Sequence, residues 1–223
     1  MSEPMIKQKL KFFITPEVYK YLVAHSVHEP HILWELRQAT QKLRGKSMIL
    51  TPEQGQFFKL LCGLLGPKRI LEVGTYTGYG ALCFALNSDE DAHIDTIDIN
   101  PQWHEHALPF WQKAGMESKI TQHHGDATDV LDTLNKETYD LIFVDANKEE
   151  TATHYEQAYA LCKPGGLIIL DNTLMWGEVV NPNISKTMIR KLRLFNKQIH
   201  EDSRVDISIL PFSDGMTLAR KKT

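Results

Sequence analysis

Arg69-Ile70-Leu71-Glu72-Val73-Gly74-Thr75-Tyr76-Thr77-Gly78-Tyr79-Gly80-Ala81-Leu82-Cys83-Phe84-Ala85-Leu86 is the stretch on which the reading of this chain turns. Its first five residues, in which Ile70, Leu71 and Val73 are apolar and two of those β-branched, predict a buried strand. Glycines follow at 74, 78 and 80, and the apolar run from Ala81 to Leu86 then predicts a helix. A strand that passes through glycines into a helix presents backbone amides at the helix start and lets a ligand approach the main chain closely.

Upstream, Thr51-Pro52-Glu53-Gln54 has the pattern of a capped helix start, and Gly66-Pro67 stops that helix after Leu65. Between Thr15 and Leu43 the apolar residues fall at helical spacing, with a break near Glu29-Pro30, so two helices are expected there. Downstream, strands are expected at 93–98, 119–123, 141–145 and 166–171, alternating with helices at 101–114, 130–134 and 151–162. After Pro182 a basic amphipathic helix, Thr187 to His200, precedes two short strands, Val205 to Leu210 and Met216 to Arg220. The turn sequence Pro211-Phe212-Ser213-Asp214-Gly215 joins these strands as an antiparallel hairpin. The alternation predicts an α/β, Rossmann-like fold: a mostly parallel sheet, helices on both faces, and ligands at the carboxyl ends of the strands. One domain, 1–223, is expected, with 1–47 as a helical cover.

The 28 acidic and 25 basic residues give a net charge of -3, which lacks the basic excess that a nucleic-acid partner calls for. Cys62, Cys83 and Cys162 are odd in number and sit in apolar contexts, so they read as reduced core residues. Met1-Ser2-Glu3-Pro4-Met5-Ile6-Lys7 has no apolar core of signal-peptide length, and no run nears the roughly 18 apolar residues of a membrane span. A cytoplasmic protein without a membrane partner is therefore expected.

The glycines are spaced G-x-x-x-G-x-G, unlike the G-x-G-x-x-G of dinucleotide sites, and Glu72 stands two residues before the first. An acid there would repel a pyrophosphate but suits S-adenosylmethionine, which carries an ammonium and a sulfonium. Asp98, at the end of the next strand and 20 residues after Gly78, is placed to accept ribose hydroxyls; the alternative is that it caps the following helix. Asp145 and Asp171-Asn172 end two very apolar strands on the same edge of the sheet. Two carboxylates and an amide oxygen there would suit Mg²⁺, although each aspartate could instead cap a helix or turn. Lys148, three residues after Asp145, could serve as a general base or be solvated surface. His123-His124 are assigned no role.

These motifs, in this order, resemble the cation-dependent O-methyltransferase family that includes caffeoyl-CoA and catechol O-methyltransferases, whose fold is the class I methyltransferase fold. The resemblance runs from Met48-Ile49-Leu50-Thr51-Pro52-Glu53-Gln54 through the glycine loop, Asp98-Ile99-Asn100, Lys113-Ala114-Gly115, Phe143-Val144-Asp145-Ala146-Asn147-Lys148, Pro164-Gly165-Gly166 and Asp171-Asn172-Thr173-Leu174 to Leu210-Pro211-Phe212-Ser213-Asp214-Gly215. It implies that Met48 and Leu50 lie against S-adenosylmethionine, that Glu72 and Gly74 hold its amino-acid part, that Asp98 holds its ribose, that Ala127 neighbours its adenine and that Gly78, Gly80 and Asp145 also belong to the cofactor site. It implies a divalent cation, Mg²⁺ with Mn²⁺ or Ca²⁺ as alternatives, held by Asp145, Asp171 and Asn172, and a catalytic role for Lys148 and Asp145. It further implies a small aromatic diol as substrate and a homodimer. The chain departs from the family pattern at Gly80, where a serine is usual, at Asn147, usually aspartate, and at Met175-Trp176, where the tryptophan comes one place late. Rival readings are a metal-independent small-molecule methyltransferase, a catalytically weak adenosylmethionine-binding protein, and, least favoured, an NAD-dependent dehydrogenase.

Overall fold

The computed structural model describes residues 14–223; residues 1–13 of the expected amino-terminal cover lie outside them. Helices α1 (Pro16–Ser26) and α2 (His31–Thr40) are separated by the proline at 30, and α3 (Pro52–Leu65) begins with the expected capping box. Gln54 Oε1 there accepts from the Thr51 backbone N–H at 2.9 Å and from its hydroxyl at 3.0 Å. Gly66, in the left-handed region, ends the helix.

The sheet is built from β1 (Arg69–Val73), β2 (His93–Asp98), β3 (Ile120–His124), β4 (Tyr139–Val144), β5 (Cys162–Asp171), β6 (Val205–Leu210) and β7 (Met216–Lys221). Their spatial order is β3-β2-β1-β4-β5-β7-β6. The first five are parallel, and β7 runs antiparallel between β5 and β6, with Asp171 opposite Met216. Interleaved are α4 (Tyr79–Asn87), α5 (Pro101–Lys113), α6 (Ala127–Thr133), α7 (Thr151–Leu161) and α8 (Thr187–Glu201). No helix among the described residues is long and apolar enough to cross a membrane.

The period-two alternation of a strand sorts β4 between two cores. Leu141 and Phe143 pack with Phe58, Phe84 and Trp111 under α3, α4 and α5, while Ile142 and Val144 pack with Tyr155, Leu192 and Phe195 under α7 and α8. Burying each such side chain contributes about 1.5–3 kcal/mol, and the two cores make the strands the rigid part of the molecule. All three cysteines are free and buried, as expected.

Several boundaries differ from the sequence reading, and three of them have a plain physical cause or consequence. β5 starts at Cys162, not 166, because Cys162 pairs with Tyr139 before the register shifts, and the Pro164-Gly165-Gly166 segment is carried as an irregularity inside the strand. α6 starts at Ala127, not 130, since the Asp126 side chain caps it by accepting from Thr128 N–H at 2.9 Å. β4 stops at Val144, which leaves Asp145 in the loop beyond the strand.

Candidate active site

The chain leaves β1 towards β2 on one side, whereas β4 lies on the other, so the loops after β1 and β4 part at this point and open a crevice. They start out touching. Asp145 N–H donates to Val73 O at 2.8 Å, and a Cβ on Gly74 would overlap the Asp145 carbonyl, which is why glycine stands there. A cavity of about 890 Å³ opens above, and Met48, Leu50, Gly74, Asp98, Ala127, Asp145, Lys148, Asp171 and Asn172 all line it. Glu72 and Gly80 line a recess of about 10 Å³ beside it, room for one water. Gly78 caps α4 rather than lining either space.

Asp98 is fixed by main-chain donors: its Oδ2 accepts from Tyr76 N–H at 2.8 Å and its Oδ1 from Asn100 N–H at 2.9 Å. It does not cap α5. That role belongs to Asn100, which accepts from Gln102 N–H at 3.1 Å. The carboxylate of Asp98 therefore keeps lone pairs for a ligand in the cavity.

Glu72 is buried and accepts from the Thr96 hydroxyl at 2.6 Å. Burial pushes its carboxyl up to about 8, with Asp145 and Asp98 adding to the rise and the Thr96 hydrogen bond opposing it. A side chain at Gly80 would overlap Glu72 Oε1, so the departure at position 80 and the seat of the Glu72 carboxyl are one feature. Sequence reasoning missed the rest of this end of the cavity: Tyr76, Ile99, Trp103, Gly125 and Asp126. Trp103 lies in the first turn of α5, edge-on to Tyr76 with ring centroids 4.8 Å apart. The only signal for it was its place two residues after Pro101, and aromatics in a first helical turn are common.

The opposite end is acidic. Lys148 Nζ donates to Asp145 Oδ1 at 2.6 Å. Asp171 is buried; its Oδ1 accepts from Asn172 N–H at 2.9 Å and its Oδ2 from Gln54 Nε2 at 3.0 Å. Asn172 Nδ2 donates to Asp214 Oδ1 at 2.6 Å. Burial pushes the Asp171 carboxyl up to about 7, the adjacent charge of Asp145 adding to it and Lys148 opposing. Burial raises Asp145 as well, against the pull of Lys148. Neither aspartate is a plain helix cap.

Among the described residues no three His, Cys, Asp or Glu side chains converge into a metal cluster, so a cation here would depend on Asp145, Asp171 and the amide oxygen of Asn172. That donor set is chemically apt: two desolvated carboxylates that resist ionising together, with one lysine bonded to Asp145, are relieved by a hard divalent ion that takes oxygen ligands. Asn147 is otherwise engaged, accepting from Glu149 N–H at 3.2 Å as the cap of the short turn Lys148–Glu150.

Met175 and Trp176 form the outer wall, both with positive φ, and Trp176 is 77% exposed. Arg193 of α8 holds the segment behind them, donating to the carbonyls of Val179 at 2.8 Å and Ile184 at 3.0 Å and also to that of Asn181. His123 and His124 lie away from the cavity; His123 pairs with Asp95 at 2.8 Å.

A family model described as O-methyltransferase matches residues 23–222. Caffeoyl-CoA O-methyltransferase 1 of Zea mays is 40% identical over 218 residues, which cover 92% of this chain and 84% of that protein. The SAH-bound Podospora anserina methyltransferase PaMTH1 superposes with a TM-score of 0.85 at 27% identity, covering 100% of this chain and 97% of that one. The O-methyltransferase TomG of Streptomyces achromogenes, solved in complex with SAM, gives 0.84 at 28% identity over 93% of this chain and 96% of its own.

Proposed function

The chain belongs to the S-adenosylmethionine-dependent O-methyltransferase family, and from that premise we propose that it methylates a hydroxyl of a small vicinal aromatic diol with the help of a divalent cation, Mg²⁺ in the first place and Mn²⁺ or Ca²⁺ as substitutes. The observation that carries this reading is the convergence of Asp145, Lys148, Asp171 and Asn172 on the wall of the cavity that Asp98 and Gly74 also line.

In this reading Glu72 and Gly74 receive the ammonium end of adenosylmethionine, Asp98 the ribose hydroxyls, and Gly125, Asp126 and Ala127 the adenine edge. Trp103 and Ile99 would lie near the adenine, and Met48 and Leu50 would lie against the cofactor. Bound adenosylmethionine supplies an electrophilic methyl group. Asp145, Asp171 and Asn172 would hold the cation, which supplies Lewis acidity towards a hydroxyl and neutralises the charge left on it. Lys148 accepts the hydroxyl proton. In the free protein its nitrogen is held 2.6 Å from Asp145 Oδ1, at the edge of the space the hydroxyl would occupy. Positioning is the remaining contribution: Met175 and Trp176 bound the space in which a planar ring can face the cofactor.

Methylation of catechol measured with and without EDTA tests the reading. Activity should vanish with chelator and return with excess Mg²⁺; full activity in chelator would remove the cation from it. Asp145→Ala should lower turnover at least about 100-fold while adenosylmethionine affinity changes far less. Because the maize relative is named for an acyl-CoA phenol, such phenols belong in the substrate panel beside simple catechols and flavonoids. The reading includes one catalytic domain, a cytoplasmic setting and a homodimer. The exposed Leu60, Leu64 and Leu65 of α3 support the homodimer, and light scattering measures it.

A further inference from the structure

Asn172 can serve a cation only through its oxygen, because the other end of a carboxamide is a donor. Which end is free for a ligand is decided by a neighbour on the same cavity wall, Asp214. Asp214 is 6% exposed and presents Oδ1 to Asn172 Nδ2 at 2.6 Å; a carboxylate can only accept, so the nitrogen must point to it and the oxygen away. We infer that Asp214 is a positioning residue that turns the Asn172 oxygen towards the proposed cation site. The inference rests on the cation-assisted reading above.

The pairing is built into the fold. β7 is antiparallel to β5, so the turn that precedes β7 arrives at the carboxyl end of β5. Two main-chain bonds lock that turn to the segment after β5, Thr173 N–H to Gly215 O at 2.9 Å and Leu174 N–H to Asp214 O at 3.0 Å. From the other side Asn196 Nδ2 of α8 donates to Thr173 O at 2.8 Å. Asn172 itself has φ +61°, a left-handed backbone held by these bonds on both sides. Asp214 is thus fixed relative to Asn172 across 42 residues of sequence.

The test is Mn²⁺ affinity, read by electron paramagnetic resonance on the full chain with adenosylmethionine affinity measured in parallel by calorimetry. Asp214→Asn keeps a neutral acceptor and should weaken Mn²⁺ binding only a few-fold. Asp214→Leu removes the acceptor and should weaken it about 10- to 100-fold, the range for outer partners of metal ligands. Asn172→Asp combined with Asp214→Leu should restore affinity to within a few-fold of wild type, since a carboxylate has oxygen at both ends and needs no orienting. Adenosylmethionine affinity should hold throughout. Equal losses in the Asn and Leu variants would mean that the charge of Asp214 acts alone, and a double variant as weak as Asp214→Leu would make Asp214 a ligand itself; either result overturns the inference. If the Leu variant does not fold by thermal melting, Asp214→Ala takes its place. A wild-type chain that binds no Mn²⁺ would instead sink the cation reading.

Discussion

At Glu72 the strand buries a carboxyl beside the cavity proposed to take the cofactor. With its carboxyl raised to about 8, Glu72 is mostly protonated at neutral pH in the free protein, and an incoming ammonium favours the ionised form. Cofactor binding at pH 7 should therefore release about one proton, and affinity should rise as pH climbs from 6 towards 8. Calorimetry in buffers of different ionisation enthalpy counts that proton, and Glu72→Gln should abolish its release. Glu72 and Asp98 could be read from the sequence because an acid at a fixed offset from a glycine loop is a local pattern. The link between Gly80 and Glu72 could not, since a missing side chain signals nothing until the atom that fills its place is seen.

Among the elements, α3 is tied to the site by a single side chain. Gln54 closes the capping box of this helix through its oxygen and holds Asp171 through its nitrogen. Gln54→Leu should therefore cost about 1 kcal/mol of stability in urea unfolding, the usual loss for a helix cap, and should also lower turnover, whereas Thr51→Val should affect stability more than turnover. Half of this role was legible: a capping box is a four-residue code, but the bond to Asp171 spans 117 residues. The early start of β5 escaped for a related reason, because pairing with β4 overrides the turn-forming Pro164-Gly165-Gly166.

In the sheet, Asp95 on β2 accepts from Arg69 on β1 at 2.5 Å and from Tyr139 on β4 at 3.0 Å, and pairs with His123 on β3. Burial would raise this carboxyl, but these partners outweigh it and hold it below the usual carboxylate range. A depressed folded-state value stabilises the protein above the unfolded value, near 4, and that contribution is lost as pH falls through the folded one. Asp95→Asn should thus destabilise the fold at pH 7 by about 2 kcal/mol, less than a fully buried pair because Arg69 is more than a third exposed, and the difference from wild type should shrink in unfolding measured below pH 4.

For the molecule as a whole, the amino-terminal cover is latched to the glycine loop at two points. Tyr79 OH donates to Glu29 at 2.8 Å, itself gripped by Arg37, and the Thr40 hydroxyl donates to that of Thr77 at 3.0 Å. Glu29→Gln should raise the Kd for adenosylmethionine several-fold by freeing the stretch that carries Met48 and Leu50, with little change in catechol KM; a calorimetric titration checks it. The βα alternation made the sheet and its ligand-bearing edge legible from residue patterns, and Asp145, Lys148, Asp171 and Asn172 do gather there. What joins them from outside the strand ends, Gln54 and Asp214, depends on which chain segments meet in space.

The insertion of β7 between β5 and β6 also has a consequence for the growing chain on the ribosome. Residues 216–221 are made after the other six strands of this sheet, yet they occupy an interior place. Until residues 211–221 emerge, β5 carries a raw hydrogen-bonding edge, and the Asn172 amide has no Asp214 to face. A nascent polypeptide cut short at residue 210 should thus be sticky as well as inert, a substrate for chaperones and proteases, whereas the few residues that complete the sheet complete the proposed cation site in the same step.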